Sequence, residues 1–236
     1  MNITDALAPS RRRGVELLDD PSTDTALATR SLRDVARSNR WFGGADAVIA
    51  ELVPVFAAAH GRAEPLTLLD VGTGAGDIPE RARRVAGRGG VRLLTMGLEL
   101  SPVLAAASRS RSGDAIAGDA LALPFADHSV DVVVCSQLLH HFEEADGARL
   151  LAEMHRVARL RVIVADIRRA WAAAAGFWVG SLALAFHPVT RHDGVVSVLR
   201  GFRAAELEAA VQRATGCRPA VRNRRWFRVT ASWTPA

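Results

Sequence analysis

The most informative stretch of the sequence, LLDVGTGAGD, ends an apolar run at Asp70 and then turns through three glycines. These stand at alternate positions, Gly72, Gly74 and Gly76. A glycine loop between a strand and a helix lets the backbone approach a ligand and presents helix N-terminal N–H groups to the ligand's anionic part. A dinucleotide-binding pattern starting at Gly72 would need a glycine where Asp77 stands. The spacing and the acidic residue therefore suit a ligand with a positively charged amine better than a pyrophosphate.

Acidic and polar side chains also follow the next three predicted strands. Glu99 lies near the end of RLLTMGLEL, Asp119 lies in GDALALPF, and Ser136 follows the run VDVVVC. In a doubly wound sheet, ligands bind beyond the carboxyl ends of the strands, where the strand order reverses. A carboxylate at the end of the second strand can accept hydrogen bonds from both hydroxyls of a ribose. We therefore expect Glu99 to bind a ribose at this edge.

Candidate proton acceptors stand in QLLHHF, where His140 and His141 follow the fourth predicted strand. Histidine titrates near neutrality, which suits the removal of a phenol or enol proton. His192, in TRHDG, is a third candidate base, and this segment is expected to be either a solvated turn or a substrate-facing loop. If no histidine serves, Asp166 or Asp193 remains. Adjacent histidines project differently from a helix and the two cysteines lack metal-ligand spacing, so no metal is predicted.

Strands and helices are predicted to alternate around these residues. Continuously apolar strand candidates cover residues 66–72, 92–100, 115–120, 130–137 and 160–167, and RWFRVTASW is interpreted as a last β-like run. Helices are expected over 24–38, 44–60, 77–87, 102–110 and 145–158 and in FRAAELEAAVQRATG. This alternation indicates a parallel sheet covered on both faces, in an α/β, doubly wound fold.

Five segments, taken together, resemble the class I S-adenosylmethionine-dependent methyltransferases: LLDVGTGAGD, GLELSP, GDALALPF, VDVVVCSQLLHHF and RVIVADI. They span residues 66–167 in the order and at the spacing of that family, and the joint match is far more specific than any one segment. The resemblance implies a mostly parallel seven-stranded sheet, with S-adenosyl-L-methionine as cofactor and S-adenosyl-L-homocysteine as product. It also implies N-terminal helices and a helical insertion after the fifth strand, which together cover the active site as a lid.

The same resemblance implies cofactor-binding roles for nine residues: Asp70, Gly72, Gly74, Gly76, Glu99, Leu100, Asp119, Ala120 and Ser136. The glycines and Ser136 would lie against the methionine part, with Asp70 near its amine. Glu99 would bind the ribose hydroxyls. Asp119 would face the adenine amine, and Ala120 would offer a backbone N–H to the adenine ring.

Aromatic residues outside the predicted strands indicate a lipophilic acceptor. Trp41 and Phe42 belong to the N-terminal segment, and Trp178 lies in the apolar stretch AWAAAAGFWVGSLALAF. Aromatic walls with a few polar groups, here including Arg191, are typical of small-molecule pockets. The alternative is that these aromatic residues only pack helices onto the sheet. The segments NRWFGG, ADIRR and RHDG resemble a bacterial subgroup of methyltransferases that act on polyketide or quinone-like aromatic products.

The sequence is interpreted as one domain over residues 1–236. Within it we expect an N-terminal helical cap (1–62) and a cofactor-binding core (63–167). A helical insertion serving as the lid (168–200) and a C-terminal helix with strands (201–236) follow.

The overall composition bears on partners and location. The formal net charge is +5 and all 30 basic residues are arginines, but they are scattered, which disfavours a nucleic-acid partner. The longest apolar stretch is too short and too glycine-rich to favour a membrane span, and the N-terminus lacks the pattern of a signal peptide, so a cytoplasmic location is expected. The predicted activity is O-methylation of a phenol or enol on an aromatic or polyketide-type small molecule. A C-methyltransferase, an RNA methyltransferase and a non-catalytic cofactor-binding protein are the alternatives, and the oligomeric state is left open.

Overall fold

The fold comes from a computed structural model, which describes residues 8–12, 14, 16–17, 27, 30–31, 34, 37–38 and 41–235. Most of the helix predicted over 24–38 lies outside these residues, as do the first two residues of NRWFGG. The statements below concern the described part of the chain.

The described chain forms one sheet of seven strands. They are β1 (Leu66–Val71), β2 (Leu93–Glu99), β3 (Asp114–Ala117), β4 (Val130–Ser136), β5 (Ala158–Ile167), β6 (Ala220–Arg224) and β7 (Arg228–Trp233). Their order across the sheet is β3-β2-β1-β4-β5-β7-β6. Strands β1 to β5 pair in parallel, whereas β7 runs antiparallel to both β5 and β6. The predicted doubly wound, mostly parallel seven-stranded sheet is thus confirmed.

Helices cover both faces of this sheet. They are α1 (Gly44–Ala58), α2 (Asp77–Arg88), α3 (Pro102–Ser112), α4 (Glu144–Val157), α5 (Trp171–Ala183), α6 (Pro188–Arg200) and α7 (Ala204–Thr215), with a 3₁₀ turn at Leu139–His141. One core, between the sheet and α4 and α7, includes Leu150 and Leu207. The opposite core, between the sheet and α1 and α2, includes Leu52 and Ala82. Burial on both faces explains why the parallel strands are continuously apolar.

The order in which successive strands are added to the sheet reverses at β1, so that β2 and β4 lie on opposite sides of it. From β1 the chain proceeds outward to β2 and β3, and then returns to form β4 on the other side of β1. The loops that leave the carboxyl ends of β1 and β4 therefore diverge and leave a crevice between them. The glycine loop and the histidines follow these two strands, so the topology brings them to the same crevice.

Two local predictions differ from the structure. The last predicted β-like run, RWFRVTASW, is a strand only from Arg228 onward, because Trp226 and Phe227 lie in the turn between β6 and β7 at φ 58° and 52°. The segment TRHDG is not a turn or loop but lies within α6, which His187 caps and Pro188 begins. The helix accommodates Gly194 at a position where the Phe177 ring packs so closely that a Cβ would clash with it.

The apolar stretch after β5 forms α5, which is 13 residues long. Among the residues that the structure describes, no helix combines the length and apolar character needed to cross a membrane.

Candidate active site

A cavity of about 570 Å³ lies at the carboxyl ends of β1 and β4. Its walls come from the glycine loop, the ends of β2 and β4, the 3₁₀ turn, α5, α6 and the segment that includes Glu16. Small-molecule sites span roughly 300–1,000 Å³, so this cavity is large enough for a small ligand.

The predicted site residues divide into those that line the cavity and those that do not. The lining includes Phe42, Gly72, Gly74, Glu99, Ser136, His140 and His141. Outside it lie Trp41, Asp70, Gly76, Leu100, Asp119, Ala120, Trp178, Arg191 and His192.

The glycine loop serves both the cavity and the packing of helices. Gly72 borders the cavity with φ 70°, and a Cβ there would lie 3.0 Å from the Leu138 side chain. Gly76 is turned away, because a Cβ there would lie 2.9 Å from the backbone nitrogen of Ser112 at the end of α3. Gly76 therefore allows close approach of α3, whereas Gly72 and Gly74 present backbone to the cavity.

Asp70 lies buried beneath this loop, at the end of β1. Its Oδ2 accepts a hydrogen bond from the Thr73 hydroxyl at 2.8 Å, and its Oδ1 has no hydrogen-bond partner among the described residues. Burial raises the pKa of Asp70 to about 8, a value to which the negative charges of Asp77 and Glu99 also contribute. A cation bound at the loop would reverse these effects, because it would stabilise the ionised carboxylate.

Glu99 ends β2 and reaches back to the loop. Its Oε1 accepts a hydrogen bond from the Gly74 N–H at 2.5 Å, and burial raises its pKa. Ser136 ends β4, where its hydroxyl is buried without a hydrogen-bond partner in the described chain. These two side chains bring polar oxygens to the cavity from either side of β1.

The residues predicted to meet an adenine lie beyond the cavity wall. Asp119 is exposed and accepts a hydrogen bond from the Leu121 N–H at 2.8 Å, so its carboxylate stabilises the turn after β3. Ala120 lies in this turn, and Leu100 is 75% exposed. The turn follows β3, which is two strands away from β1 in the sheet. It therefore lies beside the cavity and is not part of its wall.

His140 is held by a carboxylate on the neighbouring strand. Asp166, on β5, accepts from His140 Nδ1 at 2.6 Å and from the His140 backbone N–H at 3.2 Å. Burial raises the pKa of Asp166, but the charge and hydrogen bond of His140 outweigh it and hold that pKa below its usual value. The opposite ring atom, Nε2, is buried and has no hydrogen-bond partner among the described residues. The orientation leaves Nε2 as the atom available for chemistry.

His141 stacks beside His140 in the 3₁₀ turn, with ring centroids 4.3 Å apart and planes tilted by 31°. The expectation that adjacent histidines diverge therefore does not hold here, because both rings line the same cavity. By contrast, His192 lies outside the lining, with its side chain 54% exposed and its Nδ1 2.8 Å from Asp193 Oδ1. The structure thus brings together two of the three histidines proposed as bases.

An apolar wall faces the histidines. Phe42 and Phe177 line it with ring centroids 5.6 Å apart, and Phe42 packs so closely on α5 that a Cβ at Gly180 would lie 2.6 Å from its ring. Trp41 and Trp178 are 60% and 51% exposed and do not line the cavity. Arg191 also lies outside the lining and donates a hydrogen bond to the Phe186 carbonyl at 3.2 Å.

Two charged residues of the cavity had no signal in the sequence. Arg228, at the start of β7, donates to the Phe42 carbonyl at 3.0 Å and to Gln137 Oε1 at 2.7 Å. Burial lowers its pKa to about 10, although the nearby Asp166 carboxylate opposes that shift. Glu16 is buried against α6, where it accepts from the Ser197 hydroxyl at 2.9 Å. Both reach the cavity from distant parts of the chain, so no local motif marks them.

Comparison with known proteins places the chain among methyltransferases. Residues 69–165 match the family model described as a methyltransferase domain. A protein of Mycolicibacterium vanbaalenii, described as an uncharacterized methyltransferase, is 32% identical over 202 residues, covering 80% of this chain and 71% of that protein.

Solved structures with low sequence identity share the fold. An Aquifex aeolicus SAM-dependent methyltransferase superposes with a TM-score of 0.61 at 15% identity, covering 88% of this chain and 98% of that one. The magnesium protoporphyrin IX methyltransferase of Synechocystis PCC 6803 with bound SAH gives a TM-score of 0.55 at 15% identity, covering 92% and 90%. At these identities the likeness concerns the fold alone.

Proposed function

Because the chain belongs to the class I S-adenosylmethionine-dependent methyltransferases, we propose that it methylates a hydroxyl oxygen of a lipophilic aromatic or polyketide-type small molecule. The observation that carries this proposal is the His140–Asp166 pair, in which His140 Nε2 has no hydrogen-bond partner within the described chain and belongs to a largely apolar cavity next to the glycine loop. A base in an apolar pocket suits an acceptor that is a neutral, lipophilic alcohol or phenol.

The residues at the glycine loop fit the cofactor of this family. The buried Oδ1 of Asp70, which has no hydrogen-bond partner in the described part of the chain, would lie near the cationic amine, and a Cβ at Gly72 would take up room beside Leu138 at the cavity wall. Glu99 would accept hydrogen bonds from the ribose hydroxyls, and Ser136 would lie beside the methionine part. Bound S-adenosylmethionine supplies a methyl group on a sulfonium, which is transferred by in-line displacement.

His140 would take the proton of the acceptor. When Nδ1 donates its hydrogen to Asp166, the lone pair of a neutral imidazole is on Nε2, which can accept a hydroxyl proton. The imidazolium that results would be stabilised by the Asp166 carboxylate. Asp166 is therefore a positioning residue, since it acts through the ring of His140.

The remaining walls would hold the acceptor and exclude water. Phe42 and Phe177 offer aromatic surface to the apolar body of the acceptor. Arg228 adds a buried cation to the lining, which favours an acceptor oxygen that becomes negatively charged. Together these groups would align a phenol or enol with its oxygen at His140, and alignment alone contributes much of the rate in such transfers.

The test is methyl transfer from labelled cofactor to a panel of phenols, quinols and tRNA. We expect label in an O-methylated phenol or quinol. His140→Ala should lower the rate on a neutral phenol by ~10²–10⁴-fold, the usual contribution of a general base. The loss should be far smaller for a nitrophenol that is already ionised, because its proton has gone.

The matched control is His192→Ala, which removes a histidine outside the cavity and should keep the parental rate on both acceptors. Equal losses on both phenols in His140→Ala would assign His140 to packing and refute its role as base. Label on a ring carbon would instead identify a C-methyltransferase, and label in tRNA an RNA methyltransferase. Cofactor binding without transfer to any acceptor would identify a non-catalytic binding protein.

A further inference from the structure

Three metal-ligating side chains converge at the acceptor end of the cavity. Glu16, His140 and His141 each offer one ligand atom, and these atoms all lie within 4.8 Å of one another. Glu16 Oε1 is 3.9 Å from His140 Nε2, and Glu16 Oε2 is 3.8 Å from His141 Nδ1. Ligands of a tetrahedral ion are about 3.3 Å apart at metal–ligand distances of about 2.0–2.1 Å. The separations between the three ligand atoms would therefore have to shorten by about 0.5 to 1.5 Å, through movements of the side chains, to surround one ion.

His140 already has the surroundings of a metal ligand. Its side chain is 1% exposed, and Nε2 has no hydrogen-bond partner in the described chain. Its other nitrogen, Nδ1, is 2.6 Å from Asp166 Oδ1. Metal-bound histidines usually donate their second N–H to a carboxylate, which orients the ring and raises its basicity. The Asp166–His140 pair provides this orientation before any ion binds.

Glu16 is held in place by α6. Its Oε1 accepts from the Ser197 hydroxyl at 2.9 Å and from Arg200 Nη1 at 3.1 Å. These contacts fix the carboxylate against the histidines. The charge of Arg200 offsets part of the charge of Glu16, which disfavours Mg²⁺ and Ca²⁺, whose sites depend on anionic oxygens. Two imidazoles and one carboxylate instead match the preferences of Zn²⁺ and neighbouring transition metals.

We infer that Glu16, His140 and His141 form a site for one divalent transition-metal ion of the zinc class. The three protein ligands would leave a coordination position that faces the acceptor cavity. The sequence predicts no metal because adjacent histidines diverge on an α-helix. In the 3₁₀ turn both rings face one cavity, and the third ligand comes from residue 16, more than a hundred residues earlier.

Metal binding and proton transfer at His140 exclude each other, because both use the lone pair of Nε2. The ion would therefore suppress the proposed methylation of neutral hydroxyls. The binding itself does not depend on the proposed function, whereas this inhibitory consequence rests on it.

The experiment is a calorimetric titration of the untagged, chelator-treated full chain with Zn²⁺, repeated with Co²⁺ to record its absorption spectrum. We expect saturable 1:1 binding and a Co²⁺ spectrum of low coordination number. Glu16→Gln and His141→Ala should each weaken Zn²⁺ binding by more than ~100-fold. Asp166→Asn, which changes only the group behind the ligand, should weaken it by roughly 10- to 100-fold.

His192→Ala is the matched control, because it removes an exposed histidine that also neighbours a carboxylate. It should leave the Zn²⁺ affinity unchanged. Parental affinity for S-adenosylmethionine in each variant would show that the fold is intact. Absence of 1:1 binding, or parental Zn²⁺ affinity in both Glu16→Gln and His141→Ala, would overturn the inference.

The outcomes separate this inference from the proposed function. A protein that binds Zn²⁺ through these residues but methylates no hydroxyl keeps the metal site and refutes the reaction. A protein that methylates phenols through His140 but shows no 1:1 binding of Zn²⁺ supports the reaction and refutes the metal site. If both hold, added Zn²⁺ should lower the rate on a neutral phenol, and a chelator should restore it.

Discussion

Replacing Asp70 by asparagine should remove a loss of stability that the cofactor-free protein shows as the pH rises. Burial raises the pKa of this carboxyl from 3.8 to about 8, with Asp77 and Glu99 adding to the shift. Between these two values the folded protein holds a proton that the unfolded chain has lost, so the free energy of unfolding falls as the pH rises. Between pH 5 and pH 8 the ionisation of this one carboxyl lowers the free energy of unfolding by about 3–4 kcal/mol. Asparagine does not ionise, and its amide oxygen can still accept from Thr73.

The assay is denaturant unfolding of the parent and Asp70→Asn at pH 5, 6, 7 and 8 without cofactor. The difference in free energy of unfolding between the two should grow in favour of the variant by roughly 1 kcal/mol per pH unit. Taking the difference cancels the titrating groups that do not interact with Asp70. Asp114→Asn, which replaces an exposed carboxylate at the start of β3, is the matched control.

Saturating S-adenosylmethionine should flatten the slope of the parent, because a cationic amine near Asp70 favours the ionised carboxylate. A difference between parent and variant that stays constant from pH 5 to pH 8 would refute the reasoning. It would mean that Asp70 is either already ionised or accessible to water in the folded protein.

Two further predictions concern binding and packing. Glu99→Ala should weaken S-adenosylmethionine binding by ~1.5–3 kcal/mol in calorimetry, the usual value for a hydrogen bond to a charged group. The control, Glu144→Ala, replaces an exposed carboxylate and should leave the affinity for S-adenosylmethionine unchanged. An unchanged affinity in Glu99→Ala would show that Glu99 does not bind the cofactor. Gly194→Ala should destabilise the protein by ~1–3 kcal/mol in denaturant unfolding, because its methyl group would overlap the Phe177 ring. Gly176→Ala, in open space on α5, should instead be neutral or stabilising, and equal stability of the two variants would contradict the packing argument.

The side of the cavity formed by the glycine loop could be predicted from sequence, because the residues that mark it are close in sequence to the strands that position them. The glycine loop directly follows β1, and Glu99 and Ser136 end their own strands. Each therefore lies within a few residues of the strand that positions it, and the periodicity of apolar residues predicts the strands. The predicted fold class is confirmed for the same reason: buried parallel strands have a composition that can be recognised in a single sequence.

The side of the cavity that includes Glu16 and Arg228 could not be predicted in the same way. Glu16 contacts Ser197 across 181 residues of sequence, and Arg228 reaches Gln137 across 91. No pattern of neighbouring residue types records such contacts. The turn before Arg228 could not be recognised from the sequence either, because Trp226 and Phe227 adopt positive φ and no glycine or asparagine indicates the turn.

The order in which a ribosome makes this chain has a consequence for the cavity. Strands β1 to β5 end at Ile167, so a nascent chain of that length already contains the glycine loop, Glu99 and the His140–Asp166 pair. Glu16 is synthesised first, but its anchors Ser197 and Arg200 are made only much later. Arg228 follows later still. During translation the edge of the cavity formed by the glycine loop can therefore form well before the wall that includes Glu16 and Arg228, and the cavity is complete only when β7 joins the sheet beside β5.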